Sequence, residues 1–167
     1  HQSSHTPTKA EVKTAAQLAW EGHLISVENM RIKDIDISDI PLAQMEKLTA
    51  IVTERVWIIN LTPTSQLSSI LTCVKCPVLG LCNMELSLED TWALVTAMRE
   101  RVERVELYNI TLDIEQLTKY DGQGCCRRLG VWRDMRARHG DTLRRWTADV
   151  GWTVTMDYVW GLDMERK

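Results

Sequence analysis

The chain has no run of about 18 or more apolar residues, the length a membrane-crossing helix needs, so no span is expected among its 167 residues. It has no glycine-rich phosphate loop and no His-Glu-x-x-His pair, which removes two signatures of nucleotide and zinc-hydrolase chemistry. Histidine is scarce. His1 and His5 lie at the start, His23 beside an expected helix end and His139 in a basic stretch, none with an evident nucleophile partner. Since no set of catalytic roles can be assigned, an enzyme is not expected, and neither a cofactor nor a metal site is expected. A formal net charge of −3 leaves no basic surplus, which makes nucleic acid an unfavoured partner. No secretory leader or initiating Met is visible, and residues 1–7 are expected to be disordered or a tag remnant.

Cysteines number five, Cys73, Cys76, Cys82, Cys125 and Cys126, and an odd count favours reduced thiols and a cytoplasmic setting, with secretion the alternative. The Cys73-x-x-Cys76 pair lacks the second ligand pair that structural zinc requires, because adjacent Cys125 and Cys126 chelate poorly. Cysteines buried as small apolar fillers are expected.

What is present is a repeat. Leu81-Cys82-Asn83-Met84-Glu85-Leu86 and Leu107-Tyr108-Asn109-Ile110-Thr111-Leu112 share one pattern of apolar residues, Asn and Leu. Ile25 to Ile32 is a further copy with Asn29, and Ile59 to Pro63 a partial one with Pro63 at the Asn position. Leu129 to Arg133 and Val154 to Tyr158 keep the apolar pair without the Asn. The second apolar residue falls at 27, 61, 81, 107, 131 and 156. Apart from the first, which carries an insertion from Lys33 to Ile40, the steps fall within the roughly 20–29 residues of a strand-plus-helix repeat.

On these residues the chain resembles the leucine-rich-repeat family, in the ribonuclease-inhibitor-like type that also forms the C-terminal region of NOD-like receptors. The resemblance implies an α/β fold, a short right-handed leucine-rich-repeat solenoid over 24–158. It would carry a curved parallel sheet of about six strands on the concave side and helices on the convex side. It also implies structural asparagines at Asn29, Asn83 and Asn109, and a role in innate immune sensing. Pro63, Arg133 and Tyr158 depart from the motif.

The elements expected on that frame are a capping helix over 8–23 and strands over 24–30, 56–61, 78–83, 104–109, 128–132 and 152–156. Helices are expected between the strands, one opening at Ser87 with Asp90 in a capping box and facing inward with Trp92, Leu94, Val95 and Met98. Another is expected from Asp141 to Val150 after a basic loop, and residues 159–167 form a tail over the last strand. Strand alternation points the asparagines inward, where their amides need partners. That makes Asn109 of Asn109-Ile110-Thr111 implausible as a glycosylation site, while Asn60 of Asn60-Leu61-Thr62 would face the concave surface.

Alternation also fixes the outward rows. One runs through Glu28, Thr62, Cys82, Tyr108, Trp132 and Asp157, the next through Ser26, Asn60, Gly80, Glu106, Gly130 and Thr155. The third runs through Leu24, Ile58, Val78, Arg104, Arg128 and Thr153. Tyr108 and Trp132 become neighbours with Arg104 and Arg128 close by, and aromatic residues beside arginines are interface hot-spot chemistry. The expected ligand surface is therefore Arg104, Glu106, Tyr108, Arg128 and Trp132. It belongs to a non-enzymatic recognition domain for a protein or microbial ligand. An adaptor that captures substrates or forms a homodimer through the C-terminal edge strand is the alternative. A small hydrolase or nuclease using His139 is less favoured.

Overall fold

Leu79, Leu81, Val105, Leu107, Leu129 and Val131 alternate with small or polar residues, and all six are 0% exposed. Alternation with one buried face is the pattern that pins strand register, because a one-residue slip would turn every apolar side chain to solvent. The register obeys it. Leu81 lies opposite Leu107, Leu107 opposite Val131, and Ile58 opposite Leu81.

The computed structural model describes residues 27–33, 52–60 and 67–167. Its strands are β1 (Val27–Lys33), β2 (Val52–Ile59), β3 (Cys76–Glu85), β4 (Val102–Thr111), β5 (Arg128–Trp132), β6 (Trp152–Tyr158) and β7 (Gly161–Arg166). Its helices are α1 (Leu67–Cys73), α2 (Leu88–Glu100), α3 (Ile114–Thr118) and α4 (Asp134–Val150). One open sheet runs in the order β1-β2-β3-β4-β5-β7-β6. Neighbours from β1 to β5 are parallel, whereas β7 is antiparallel to both β5 and β6.

This mixed sheet overturns the regular parallel solenoid. The expected sixth parallel strand does not follow β5. The chain instead turns back after Tyr158, and residues 161–166 of the expected tail insert as β7. The physical reason lies in Leu162 and Met164, both 0% exposed. They face the same core as Val131 and Leu129, their register partners. An antiparallel strand delivered by a short turn closes the apolar end without a further helix, since parallel pairing would need a long crossover.

One core joins the strands to the helices, with Leu71, Leu94, Met98, Leu117, Leu143 and Trp146 packed against the sheet residues. Ser87 caps α2, accepting from the Asp90 backbone while the Asp90 side chain accepts from Ser87 N–H. Arg101, just past the other end of α2, donates from its guanidinium to the carbonyls of Leu71 and Val74. It thereby satisfies the orphan acceptors where α1 ends. Cys76 and Cys126 fill core positions and Cys125 is exposed.

Four expectations need correction here. Trp92 is 47% exposed, and Thr91 and Ala97 share the buried face of α2 with Leu94, Val95 and Met98. Helix α4 begins at Asp134, not Asp141. Met135, Gly140, Leu143, Trp146 and Thr147 form its buried stripe, and an internal Gly costs a helix only about 1 kcal/mol. Strand β2 is displaced by three residues from the expected register, for Ile58 and not Leu61 opposes Leu81. Asn29 lies opposite Arg55, away from Asn83 and Asn109, so it is not in their row. The capping helix at 8–23 and the helix expected between the first two strands lie outside the described residues.

The asparagines correct the reading in a further way. Asn60, Asn83 and Asn109 share a left-handed backbone (φ 55°, 55° and 52°), and Arg133 follows at 61°. They are successive steps of one row, so Asn60, not Pro63, holds the motif position just after β2. A left-handed residue breaks strand alternation and turns its side chain outward. Asn83 and Asn109 are accordingly exposed, not buried, and Asn109 Nδ2 donates to Asn83 Oδ1 at 3.1 Å. Asparagine tolerates this backbone better than other residues with a Cβ.

Candidate functional site

The sheet face opposite the core is built from the residues between the buried ones. Three rows cross it in register. The first holds Arg55, Val78, Arg104, Arg128 and Glu165. The second holds Trp57, Gly80, Glu106, Gly130 and Asp163, and the third Ile59, Cys82, Tyr108, Trp132 and Gly161. Arg104, Glu106, Tyr108, Arg128 and Trp132 thus come together on β4 and β5. Trp57 joins them through the corrected register of β2, which puts it, and not Asn60, in the middle row. The signal for Trp57 is the alternation Arg55-Val56-Trp57-Ile58, masked by the apolar run through Ile59 and by Leu61 beyond Asn60.

The aromatic rings form a tile. Trp57 and Tyr108 centroids are 5.5 Å apart at 53°, and Tyr108 and Trp132 are stacked at 5.6 Å and 12°. Arg55 covers Trp57, its Cζ 5.1 Å from the ring centroid, a cation–π distance. Glycine makes the tile possible. A Cβ on Gly80 would lie 2.2 Å from Trp57 Cε3, and one on Gly161 would lie 2.2 Å from Trp132 Cε3. Each indole therefore lies flat on a neighbouring strand's bare backbone. A register shift between Val154 and Met156 then brings Tyr158 opposite Gly161. Tyr158 stacks at 4.7 Å on Trp160 in the exposed β6–β7 turn.

Two ion pairs lie on this face. Arg104 contacts Glu106 at 2.7 Å and Arg128 contacts Asp163 at 2.7 Å, with both carboxylates almost wholly buried. The Asp163 hydrogen bond raises the Arg128 pKa, so the guanidinium stays charged. Thr155 Oγ1 also donates to Asp163 Oδ2. Burial, with Glu106 nearby, raises the Tyr108 pKa and keeps its hydroxyl protonated. Five buried polar atoms of this face lack a hydrogen-bond partner among the described residues. They are Trp57 Nε1, Arg104 Nε, Arg128 Nε, Trp132 Nε1 and Asp163 Oδ1.

Elsewhere the chemistry is sparse. Burial pushes the Cys76 and Cys126 thiols up to about 12, which keeps them protonated and poor as nucleophiles or ligands. His139 is half-buried on α4, its pKa lowered by burial and by Arg138. Among the described residues no group of three or more His, Cys, Asp or Glu could hold a metal. No helix among them is long and apolar enough to cross a membrane.

No protein-family model, characterised protein or solved structure matches the chain.

Proposed function

We propose that the chain is a non-enzymatic recognition domain that binds a protein or pathogen-derived ligand across the open sheet face. The observation that carries this is the half-exposed tile of Trp57, Tyr108 and Trp132 beside Arg55, Arg104 and Arg128. Aromatic and arginine side chains dominate interface energetics because they bury large, stiff surfaces and supply directional donors. A role in innate immune sensing is part of this proposal and rests on the family resemblance alone, while the cytoplasmic setting rests on the odd cysteine count.

The test is a displayed library of random peptides selected on the intact chain and counter-screened on Tyr108→Ala, with turnover of generic ester and phosphodiester substrates measured alongside. The reading expects selected peptides to lose about tenfold or more in affinity for Tyr108→Ala, equivalent to about 1.4 kcal/mol, with no turnover. Selected peptides indifferent to Tyr108 and Trp132 would refute it.

A second reading, self-association through β6, has one observation in its favour: β6 ends the sheet order, and an unpaired edge can template another strand. The irregularity between Val154 and Met156 weighs against it, since a bulged edge pairs poorly. Light scattering over a concentration series decides, a monomer at every concentration ending that reading.

A further inference from the structure

Resting on the recognition face just described, we propose that its ligand is a proline-rich segment in the polyproline II conformation. Four features of the face select that chemistry together. The first is its aromatic floor. Tyr108 and Trp132 are near-parallel and Trp57 is tilted beside them, and pyrrolidine rings stack on aromatic surfaces at little entropic cost, because the ligand helix is already formed.

The second is neutrality. Arg104 and Arg128 already carry the carboxylates of Glu106 and Asp163. An acidic peptide or a phosphate backbone would find only Arg55 without a carboxylate partner among the described residues and would have to compete with these pairs for the other two arginines, whereas an uncharged ligand leaves them intact. The third is an imbalance of hydrogen-bonding groups. Among its buried atoms, Trp57 Nε1, Arg104 Nε, Arg128 Nε and Trp132 Nε1 are donors without acceptors, set against one acceptor without a donor, Asp163 Oδ1. Proline contributes a carbonyl and no N–H, and a polyproline II chain leaves its carbonyls unpaired. It supplies what the face lacks and asks for nothing the face cannot give. These atoms are shielded, so the imbalance favours a ligand that brings no further donors to the face.

The fourth is length. The ring centroids of Trp57, Tyr108 and Trp132 are 5.5 and 5.6 Å apart in turn, so the tile spans at most about 11 Å, the rise of about three to four residues of polyproline II.

The experiment uses the intact chain and its tryptophan fluorescence, titrated with decaproline, with a Gly-Ser peptide of equal length and with oligothymidylate. The proposal expects saturable binding of decaproline and none of the Gly-Ser peptide. Affinity should fall about tenfold or more in Tyr108→Ala. It should fall severalfold in Trp57→Phe and Trp132→Phe, which keep a ring but lose the indole donor, with the far-ultraviolet spectrum and melting of each variant checked for a native fold. Failure of decaproline to bind the folded chain overturns the proposal, as does Tyr108-dependent binding of oligothymidylate in its place. The peptide library separates this failure from that of the face itself. Tyr108-dependent peptides without proline enrichment sink the proline assignment and leave the face standing, whereas peptides indifferent to Tyr108 remove the face.

Discussion

At the residue scale the absence of a side chain matters as much as its presence. Trp57 reaches Tyr108 because Gly80 leaves the intervening strand bare, and any Cβ there would overlap the indole at 2.2 Å. Gly80→Ala is therefore expected to lift Trp57 off the sheet. The cost should be about 1–3 kcal/mol, the usual penalty for overpacking. A lowered melting temperature and a red-shifted tryptophan emission are the readouts, and an unchanged emission would show that Trp57 does not lie on Gly80. This relation between a glycine in one strand and an indole in another was only partly legible in the sequence. Alternation placed Gly80, Glu106, Tyr108, Gly130 and Trp132 on one face, because strand parity is a local property. Trp57 escapes the sequence because Val56 and Ile58, or Ile59 and Leu61, are both plausible inward pairs, and only pairing with β3 chooses between them. The asparagine row was read as inward for a related reason. Parity assumes extended backbone throughout, and a left-handed residue at Asn83 or Asn109 breaks the assumption where the motif is strongest.

At the scale of elements, α4 is tied to the β6–β7 hairpin by one carboxylate. Asp157 accepts from Arg136 at 2.9 Å and from Arg144 Nε at 2.8 Å. The Arg144 and Arg136 hydrogen bonds hold its carboxyl down to about 2, against an ordinary 3.8. A carboxylate whose folded pKa is depressed stabilises the fold above its ordinary pKa, and that contribution is lost as pH falls through the folded value. Between pH 3.8 and about 2 the tie should therefore release. Carbon NMR of the Asp157 carboxyl should show a midpoint well below that of a free aspartate. Melting of the native chain should fall more steeply across that window than melting of Asp157→Asn, and parallel curves would remove Asp157 from the account. The tie was not legible beforehand. Arg133 to Gly140 read as a basic loop, since Gly140 and Asp141 look like a stop and a cap. Only the buried stripe from Met135 to Thr147, which needs a neighbour to define it, shows one continuous helix.

At the scale of the whole molecule, the question is what closes the apolar end of a stack of parallel strands. Repeat units are stabilised by their neighbours, so a terminal unit needs a cap. The strand-plus-helix period was visible in the sequence because each unit repeats its own local pattern. The closure was not, because β7 offers only Leu162 and Met164 as inward residues, too short a run to signal a strand. Its place between β5 and β6 is decided by the open edge of β5. Leu162, Met164 and Trp152 are buried to 0%, 0% and 4% exposure, and each is worth about 1.5–3 kcal/mol of transfer free energy. Their sum rivals the roughly 5–15 kcal/mol that stabilises a whole domain. A surface tail would be dispensable, whereas an inserted strand is not. Leu162→Ala should cost about 2–5 kcal/mol, seen as a melting temperature lower by on the order of 10 °C. A chain ending at Gly151 should lose its cooperative transition altogether, because Leu129 and Val131 would then border solvent along β5. A truncated chain that still melted sharply within a few degrees of the intact one would mean that the parallel stack closes without β7, and that the antiparallel hairpin is an ornament of the fold and not its end wall.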